Sequence, residues 1–504
     1  MNIKRAKQEI KDTIEAYLLK DEYGQYVIPQ IRQRPILLLG APGIGKTQIM
    51  EQISRECKIA LVAYTITHHT RQSAIGLPMI SRESFDGKEY SVTEYTMSEI
   101  IASVYEKIRK TGLKEGILFI DEINCASETL APAMLQFLQC KTFGRHAVPE
   151  GWVIVAAGNP AEYNKSVREF DVVTMDRVKK IEVEPEFSVW KEYALENRLH
   201  PAVTSYLEAR PGNFYRMETT VDGRKFATPR GWEDLSVMLT VYEQLGKEMS
   251  REVVVQYIQH EAIAKDFANY LELFARYQMD YQLDAVLEGH IDASMLAKAS
   301  AAPFDERLSL VSLILSKLRN AFVALENQQE VIELLYGQLK QLKVDLMVLD
   351  CPPEQILQMT SDRLETVRNK EKESELLTRR REKNILQAQK QLSELRRMVI
   401  GDAEIDDADS LMESVQEWFS DVQDLAENRE ESAGAMLEHA FDFMEAAFAG
   451  GQEMVIFITE MNNDRHFVHF LQDYECDRYF RYNRDLLFDE NQNAIERRLE
   501  ALNL

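Results

Sequence analysis

Between Pro35 and about Val183, short apolar runs alternate with segments of helical periodicity. The runs at 35–39, 58–64, 116–121, 151–157 and 179–184 predict strands, and the segments at 45–56, 97–110 and 127–139 predict helices. Such alternation points to a parallel sheet with helices on both faces. One interruption stands out: Asp86-Gly87 lies between two alternating runs within 80–95, which predicts a β-hairpin inserted into this scheme. From Glu186 to about Tyr277 the pattern is mostly helical, with loops around Arg210-Pro-Gly212 and Asp222-Gly223. Beyond that point helical pattern prevails. Apolar positions at helical spacing (Leu310, Leu313, Ile314, Leu318, Phe322, Leu325) predict one long helix at about 306–347.

Pro352-Pro353 then breaks the chain, and a second long, polar helix is predicted at about 354–399. Its last part sets Ile385, Ala388, Leu392, Leu395 and Val399 at steps of three and four, a short heptad seam. The polar run Asn369–Glu375 interrupts any longer register, which favours an antiparallel helical hairpin within the chain over a dimeric coiled coil. Gly450-Gly451 precede Met454-Val-Ile-Phe-Ile458, read as helix from its surroundings, and Tyr474, Tyr479, Phe480 and Tyr482 read as core. The expected organisation is an N-terminal extension at 1–32, an α/β core at 33–184, a helical region at 185–276 and an all-α region at 277–504.

Composition changes this picture in only a few respects. With 504 residues, 45% apolar and 28% charged, the chain fits a globular protein of several domains. A net charge of −24 disfavours broad binding to nucleic acid or acidic membrane. The charge is unevenly placed. Residues 361–400 are locally basic around Arg379-Arg380-Arg381, whereas 401–450 hold fifteen Asp or Glu against Arg429 alone. That acidic block is either a solvated surface or a docking face. The five cysteines (57, 125, 140, 351, 476) show no C-x-x-C spacing and read as reduced thiols. No signal-peptide core is expected in 1–20, nor a run near the ~20 apolar residues of a membrane span, so a cytoplasmic location is expected.

Candidate chemistry concentrates in the α/β part. Gly40-Ala41-Pro42-Gly43-Ile44-Gly45-Lys46-Thr47, followed by Gln48, fits the phosphate-binding pattern G-x-x-x-x-G-K-[ST] and follows an apolar strand. Glycines let backbone N–H groups close around phosphate oxygens, and the helix that follows points its positive end at the anion. Lys46 adds a point charge for the β- and γ-phosphates, and the Thr47 hydroxyl can ligate Mg²⁺. Next, Ile117-Leu-Phe-Ile-Asp121-Glu122 places two carboxylates at the carboxyl end of a buried strand, where ligands bind in parallel sheets. Asp121 would hold Mg²⁺, and Glu122 would orient and deprotonate a water. Finally, Val153-Ile-Val-Ala-Ala-Gly-Asn159-Pro160 ends another buried strand in an amide suited to a γ-phosphate and an attacking water. By itself this last motif reads rather as an Asn-Pro turn that closes a strand.

Together these motifs resemble the AAA+ ATPases, most closely the MoxR-type clade, over roughly residues 33–276. Gly76-Leu77-Pro78, Met175-Asp176-Arg177-Val178 and Thr228-Pro229-Arg230-Gly231 add to the likeness. The resemblance implies a three-layer P-loop NTPase core with a helical lid at 185–276, and ATP with Mg²⁺ as cofactors. It makes Asn159 the γ-phosphate sensor, Arg177 an arginine finger reaching a neighbouring subunit, and Arg230 a second sensor on the lid. The chain departs from the clade's pattern at Met175, Val178 and Thr228, which leaves both arginines in place and touches only the subfamily. The hairpin at 80–95 resembles the insertion in the clade's second helix, and 142–152 sits where the clade has a second hairpin.

The function so implied is a homo-oligomeric ring, a hexamer by resemblance, that hydrolyses ATP, moves its lid and remodels a partner protein, often one with a von Willebrand type A domain. A nucleotide-dependent switch or scaffold with little turnover is the alternative, and a DNA-acting motor a weaker one supported only by the basic 361–400 helix. Two histidine pairs, His68-His69 and His466-x-x-His469, lack a third metal ligand at matching spacing.

Overall fold

A computed structural model describes residues 1–160, 162–163, 170–220, 223–348, 352–401, 408–448 and 450–486. The chain divides into two compact units. The first comprises Met1–Trp190, Thr228–Gly231 and Asn369–Leu377; the second comprises Lys191–Ala227, Trp232–Arg368 and the chain from Thr378 onward.

The first unit runs α1 (Ile3–Leu18), β1 (Ile36–Gly40), α2 (Lys46–Cys57), β2 (Ala60–Thr65), α3 (Arg71–Ile75), β3 (Pro78–Phe85), β4 (Lys88–Tyr95), α4 (Glu99–Thr111), β5 (Gly116–Asp121), α5 (Ala131–Cys140), β6 (Thr142–Phe143), β7 (His146–Ala147), β8 (Trp152–Gly158), α6 (Val172–Met175) and β9 (Lys179–Val183). Five of the strands form one parallel sheet in the order β2-β5-β8-β1-β9. This is the α/β P-loop architecture expected from the alternation. Strands β5 and β8 read as unbroken apolar runs because both faces are covered: Ile117, Leu118, Phe119, Ile120 and Val153–Ala157 are all buried. Register then decides what meets at the carboxyl edge. Leu39 pairs with Gly158 and Thr65 with Asp121, so the ends of β1, β8, β2 and β5 lie side by side.

Both expected hairpins form. β3 and β4 pair antiparallel around Asp86-Gly87, and β6 pairs with β7. Arg145 at the tip of the second hairpin forms ion pairs with Glu83 on β3 and Glu94 on β4. At the root of the first, Gly76 has φ +106°, and a Cβ there would meet Thr96 O at 2.1 Å. Only glycine fits that close approach.

In the second unit, α7 (Phe187–Glu196, which begins in the first unit), α8 (Pro201–Ala209), β10 (Arg216–Thr220) and β11 (Gly223–Ala227) precede α9 (Pro229–Gln244, whose first three residues belong to the first unit), α10 (Arg251–Tyr257), α11 (Glu261–Asp280), α12 (Leu283–Leu287) and α13 (Ala293–Ala301). Then come α14 (Phe304–Val348), α15 (Pro353–Glu373), α16 (Arg379–Gly401), α17 (Ala408–Phe448), α18 (Gln452–Asn463) and α19 (Arg465–Asp473). The 45-residue α14 is the axis. Its first half packs on α8, α11, α18 and α19, and its second half joins α15, α16 and α17 in a bundle. Arg429 to Gln328 and the Tyr336–Phe419 ring contact set α17 antiparallel to α14, while Gln389 to Ser361 sets α16 antiparallel to α15. The heptad positions Ile385, Ala388, Leu392, Leu395 and Val399 are all buried within the chain.

Three expectations need correction. The predicted helix at 354–399 is two helices. The chain turns at Ser374–Thr378, where Glu375 takes φ +58°, Leu376 N–H donates to Glu371 O, and Thr378 Oγ1 accepts from Arg381 N–H to cap α16. Glu375 is held there by Lys107 and Lys110 of α4, so a helix stop that usually needs glycine carries a carboxylate instead. The mostly helical pattern expected at 186–277 is interrupted by the β10–β11 pair, in which Met217 lies opposite Phe226; of the predicted loop, Asp222 lies outside the described residues. And α14 is, by length and mean hydropathy (1.5), apolar enough to cross a membrane, with 67% of that window buried. Most of its apolar residues between Leu308 and Leu342 are buried against neighbouring helices.

The remaining readings can be placed briefly. The segment after Gly451 is the helix α18. Tyr479 is buried, Tyr474 stacks on Phe470 and Tyr482 on Phe441, whereas Phe480 is exposed. Cys57, Cys125, Cys140 and Cys476 form no disulfide among the described residues; Cys351 lies outside the described residues. Among the described residues no three His, Cys, Asp or Glu side chains converge as a metal site. His466 instead bonds Glu326 at 2.7 Å.

Candidate functional site: a phosphate loop at the sheet's carboxyl edge

Gly40 ends β1, and the chain turns through Gly43 (φ +77°) and Gly45 (φ +92°) into α2. Both turns use left-handed backbone, which glycine adopts without penalty. The first turn of α2 therefore opens onto the loop, with its N–H groups and positive helix end turned towards an anion. Lys46 is buried at the bottom. Its Nζ donates to the carbonyl oxygens of Gly40 and Ala41 and to Asn159 Oδ1, each at 2.8 Å. Burial pushes its pKa down to about 8; Asp121 and Glu122 pull it up, and Arg230 presses it down further.

The neighbouring strand end supplies the acids. Thr47 Oγ1 donates to Asp121 Oδ2 at 3.0 Å, and Glu122 N–H donates to Asp121 Oδ1 at 2.9 Å. The hydroxyl and carboxylate are hard oxygen donors that fit Mg²⁺, an ion that keeps several of its own waters and takes few protein ligands. Glu122 sits at φ +56°, an uncommon conformation for a residue with a side chain. Its Oε2 accepts the Thr67 hydroxyl at 2.8 Å, from the 3₁₀ turn that follows β2.

Asn159, the first residue after β8, reaches Lys46 through its side chain. Asn124 Nδ2 donates to its carbonyl at 2.7 Å. Asn124 is buried, and its Oδ1 finds no hydrogen-bond partner among the described residues. A Cβ at Gly158 would lie 2.7 Å from that oxygen, so Gly158 is small because Asn124 passes there. A cleft of about 530 Å³ adjoins the loop at Gly40 and Ala41, with Leu39, Pro160, Phe170, Met175 and Val183 as apolar lining.

Lys46, Thr47, Asp121, Glu122 and Asn159 are thus brought together. Arg230 lies against the loop as well: its N–H donates to Gly43 O at 3.2 Å, and its charge is felt by Lys46. Arg177 is elsewhere in this chain. It follows α6, is exposed, and donates to Gln139 Oε1 on α5. Two residues escaped the sequence reading. Thr67 gave no signal, since its role depends on β2 lying beside β5. Asn124, two residues past the acid pair, was a polar residue in a run that becomes buried, which was the available clue.

Residues 35–178 match the model of the AAA domain of the dynein-related subfamily. Among solved structures, a RuvB mutant from Thermotoga maritima is similar over 51% of this chain and 69% of its own, at 14% identity and a TM-score of 0.30. No curated protein matches the chain.

Proposed function

We propose, from the premise of an AAA domain at residues 35–178, that this chain hydrolyses ATP with Mg²⁺ as a ring of identical subunits and uses the turnover to remodel a partner protein. The observation that carries the proposal is the convergence of Lys46, Thr47, Asp121, Glu122 and Asn159 at one sheet edge. The loop N–H groups and Lys46 would hold the phosphates. Thr47 and Asp121 would hold Mg²⁺, which supplies charge neutralisation at the phosphates when bound. Glu122 would orient a water and take its proton, and Asn159 would fix that water against the γ-phosphate. The γ-phosphoryl oxygens gather negative charge as the bond breaks, and fixed guanidinium groups stabilise it better than water, by ~10³–10⁵ in rate for a supplied finger.

Arg230 would do that work within one chain, a reading supported by its backbone bond to Gly43 and its charge on Lys46. Arg177, exposed and bonded to Gln139 of α5, would serve a neighbour's site, which favours a ring. The clade (MoxR-type), hexameric stoichiometry and a partner with a von Willebrand type A domain are part of the same proposal and rest on the sequence resemblance. A nucleotide-set switch with little turnover is the second reading. It gains from Thr67, which holds Glu122 by a hydrogen bond.

The test is steady-state hydrolysis. Glu122→Gln should bind ATP as the wild type does and lose turnover at least about a hundredfold. Full turnover in that variant removes Glu122 from the mechanism. Slow wild-type turnover that a partner does not accelerate favours the switch.

A further inference from the structure

The basic and acidic stretches of the chain fall on two neighbouring helices, and each faces outward. Helix α17 carries Glu413, Glu417, Asp421, Asp424, Glu427 and Glu431 at steps of three and four, all exposed. They lie opposite the buried Leu411 and Val415, so they form one stripe along the helix. Helix α16 carries Arg379, Lys383, Lys390 and Arg397, also exposed and opposite the buried Leu392, Leu395 and Val399. Glu394 beside them reaches Lys390 at 4.0 Å. The stripes, 413–431 and 379–397, each rise about 27 Å.

Both stripes cost their own helices stability. Like charges three and four residues apart repel. Arg379 adds a positive charge to the first turn of α16, where the helix end is itself positive. Among the described residues none of the six acids, nor Arg379, Lys383 or Arg397, forms an ion pair, whereas Arg380 and Arg381 pair with Glu326 and Glu330 of α14. A local choice that works against its own helix points to a use outside the chain.

Register shows what fits. Arg380 to Glu326 and Asn384 to Glu330 set α16 parallel to α14, so α16 and α17 are antiparallel neighbours. Laid antiparallel on α17 of another copy, with Arg379 opposite Glu431, α16 sets Lys383 opposite Glu427, Lys390 beside Asp421 and Arg397 opposite Glu413. The same register faces Glu394 with the neutral Gln416 and brings Leu386, 45% exposed, beside Leu425, 53% exposed. A parallel alignment also matches the charges but separates the two leucines.

We infer that the outward faces of α16 and α17 form a docking surface for a second copy of this chain, with α16 of each copy lying antiparallel on α17 of the other. A two-fold axis along the helices generates both pairs at once, because α16 and α17 are antiparallel within each copy. Charge complementarity selects the occupant: each stripe carries the pattern that the other lacks. Two helix faces of about 27 Å by 10 Å on each copy bury about 1,100 Å² in total, little above the ~1,000 Å² of a specific interface. The contact is therefore weak and sensitive to salt. It goes beyond the ring proposed above and uses none of the nucleotide-site residues.

Light scattering of the nucleotide-free full chain at about 50 mM and about 500 mM salt tests it, with circular dichroism as the check on folding. Wild type should dimerise at low salt and dissociate at high salt. The variant Lys383→Glu, Lys390→Glu and the variant Asp421→Lys, Glu427→Lys should each dimerise at least about tenfold more weakly, since each reverses about four exposed pairs per dimer. An equal mixture of the two should recover association, because each then meets opposite charge on both helices; a merely structural loss would not recover. Should a reversed variant lose helix, Lys383→Gln, Lys390→Gln decides in its place, with weakened association supporting the inference and unchanged association overturning it. A wild type that stays monomeric at low salt, reversed variants that associate like wild type, or a mixture that does not recover overturns the docking surface. Assembly that needs nucleotide and ignores the reversals also overturns it, and leaves the ring standing.

Discussion

Lys46 makes the strongest quantitative case. Its pKa is pushed from 10.5 to about 8 because burial strips water from the ammonium and the nearby carboxylates only partly compensate. Phosphate binding requires the charged form. With that pKa, about nine-tenths of the free protein carries the charge at pH 7 and about one-tenth at pH 9. Nucleotide affinity should therefore fall about tenfold between those values, or about 1.4 kcal/mol, because only the protonated fraction is competent. Binding above pH 8 should also take up close to one proton.

Stability moves the other way. The folded pKa lies below the unfolded one, so between pH 8 and 10.5 the unfolded chain holds more protons than the folded one. Raising the pH through that window should stabilise the nucleotide-free protein by on the order of 3 kcal/mol from this residue alone. Titration with a fluorescent nucleotide at several pH values, and calorimetry in buffers of different ionisation enthalpy, read the first effect. Affinity that stays flat from pH 7 to 9, with no proton uptake at pH 8.5, would refute a depressed Lys46.

Gly158→Ala should push Asn124 off Asn159, because the new methyl would sit 2.7 Å from Asn124 Oδ1; we expect turnover to fall about tenfold with nucleotide affinity nearly kept, and unchanged kcat would show that Asn124 does not position Asn159. Thr67→Val removes the hydroxyl that holds Glu122; losing a hydrogen bond of about 1 kcal/mol should raise basal turnover about fivefold, and a lower rate would mean that Thr67 aligns Glu122 for catalysis rather than restraining it. Arg319→Met leaves the Asp464 carboxylate, 1% exposed, without its ion pair; a loss of about 3–5 kcal/mol in urea unfolding is expected, and a loss under 1 kcal/mol would show that water reaches Asp464.

Periodicity and local chemistry carry their information in neighbouring residues, so they were legible in the chain. The apolar runs Ile36–Leu39, Ile117–Ile120 and Val153–Ala157 announce strands covered on both faces. Gly43, Gly45 and Lys46 announce a phosphate loop, and Asp86-Gly87 a hairpin, because each motif's backbone demand is met within a few residues.

What lay beyond reach depended on partners far away in sequence. Glu375 stops a helix in a left-handed conformation because Lys107 and Lys110, more than two hundred residues earlier, hold its carboxylate. Residues 216–220 and 223–227 became strands only by pairing with each other, Met217 opposite Phe226, and Phe226 N–H bonds Gln259 O. The apolar α14 could equally have faced lipid; its packing against α8, α11, α16, α17, α18 and α19 decided otherwise. The candidate site divides in the same way. Its loop and acids were written in the chain, as residue types whose chemistry is their own. That Thr67 meets Glu122, that Asn124 supports Asn159 and that Lys46 loses its water are consequences of strand register and packing. No stretch of sequence contains them, because each joins groups that only the folded sheet edge brings within bonding distance.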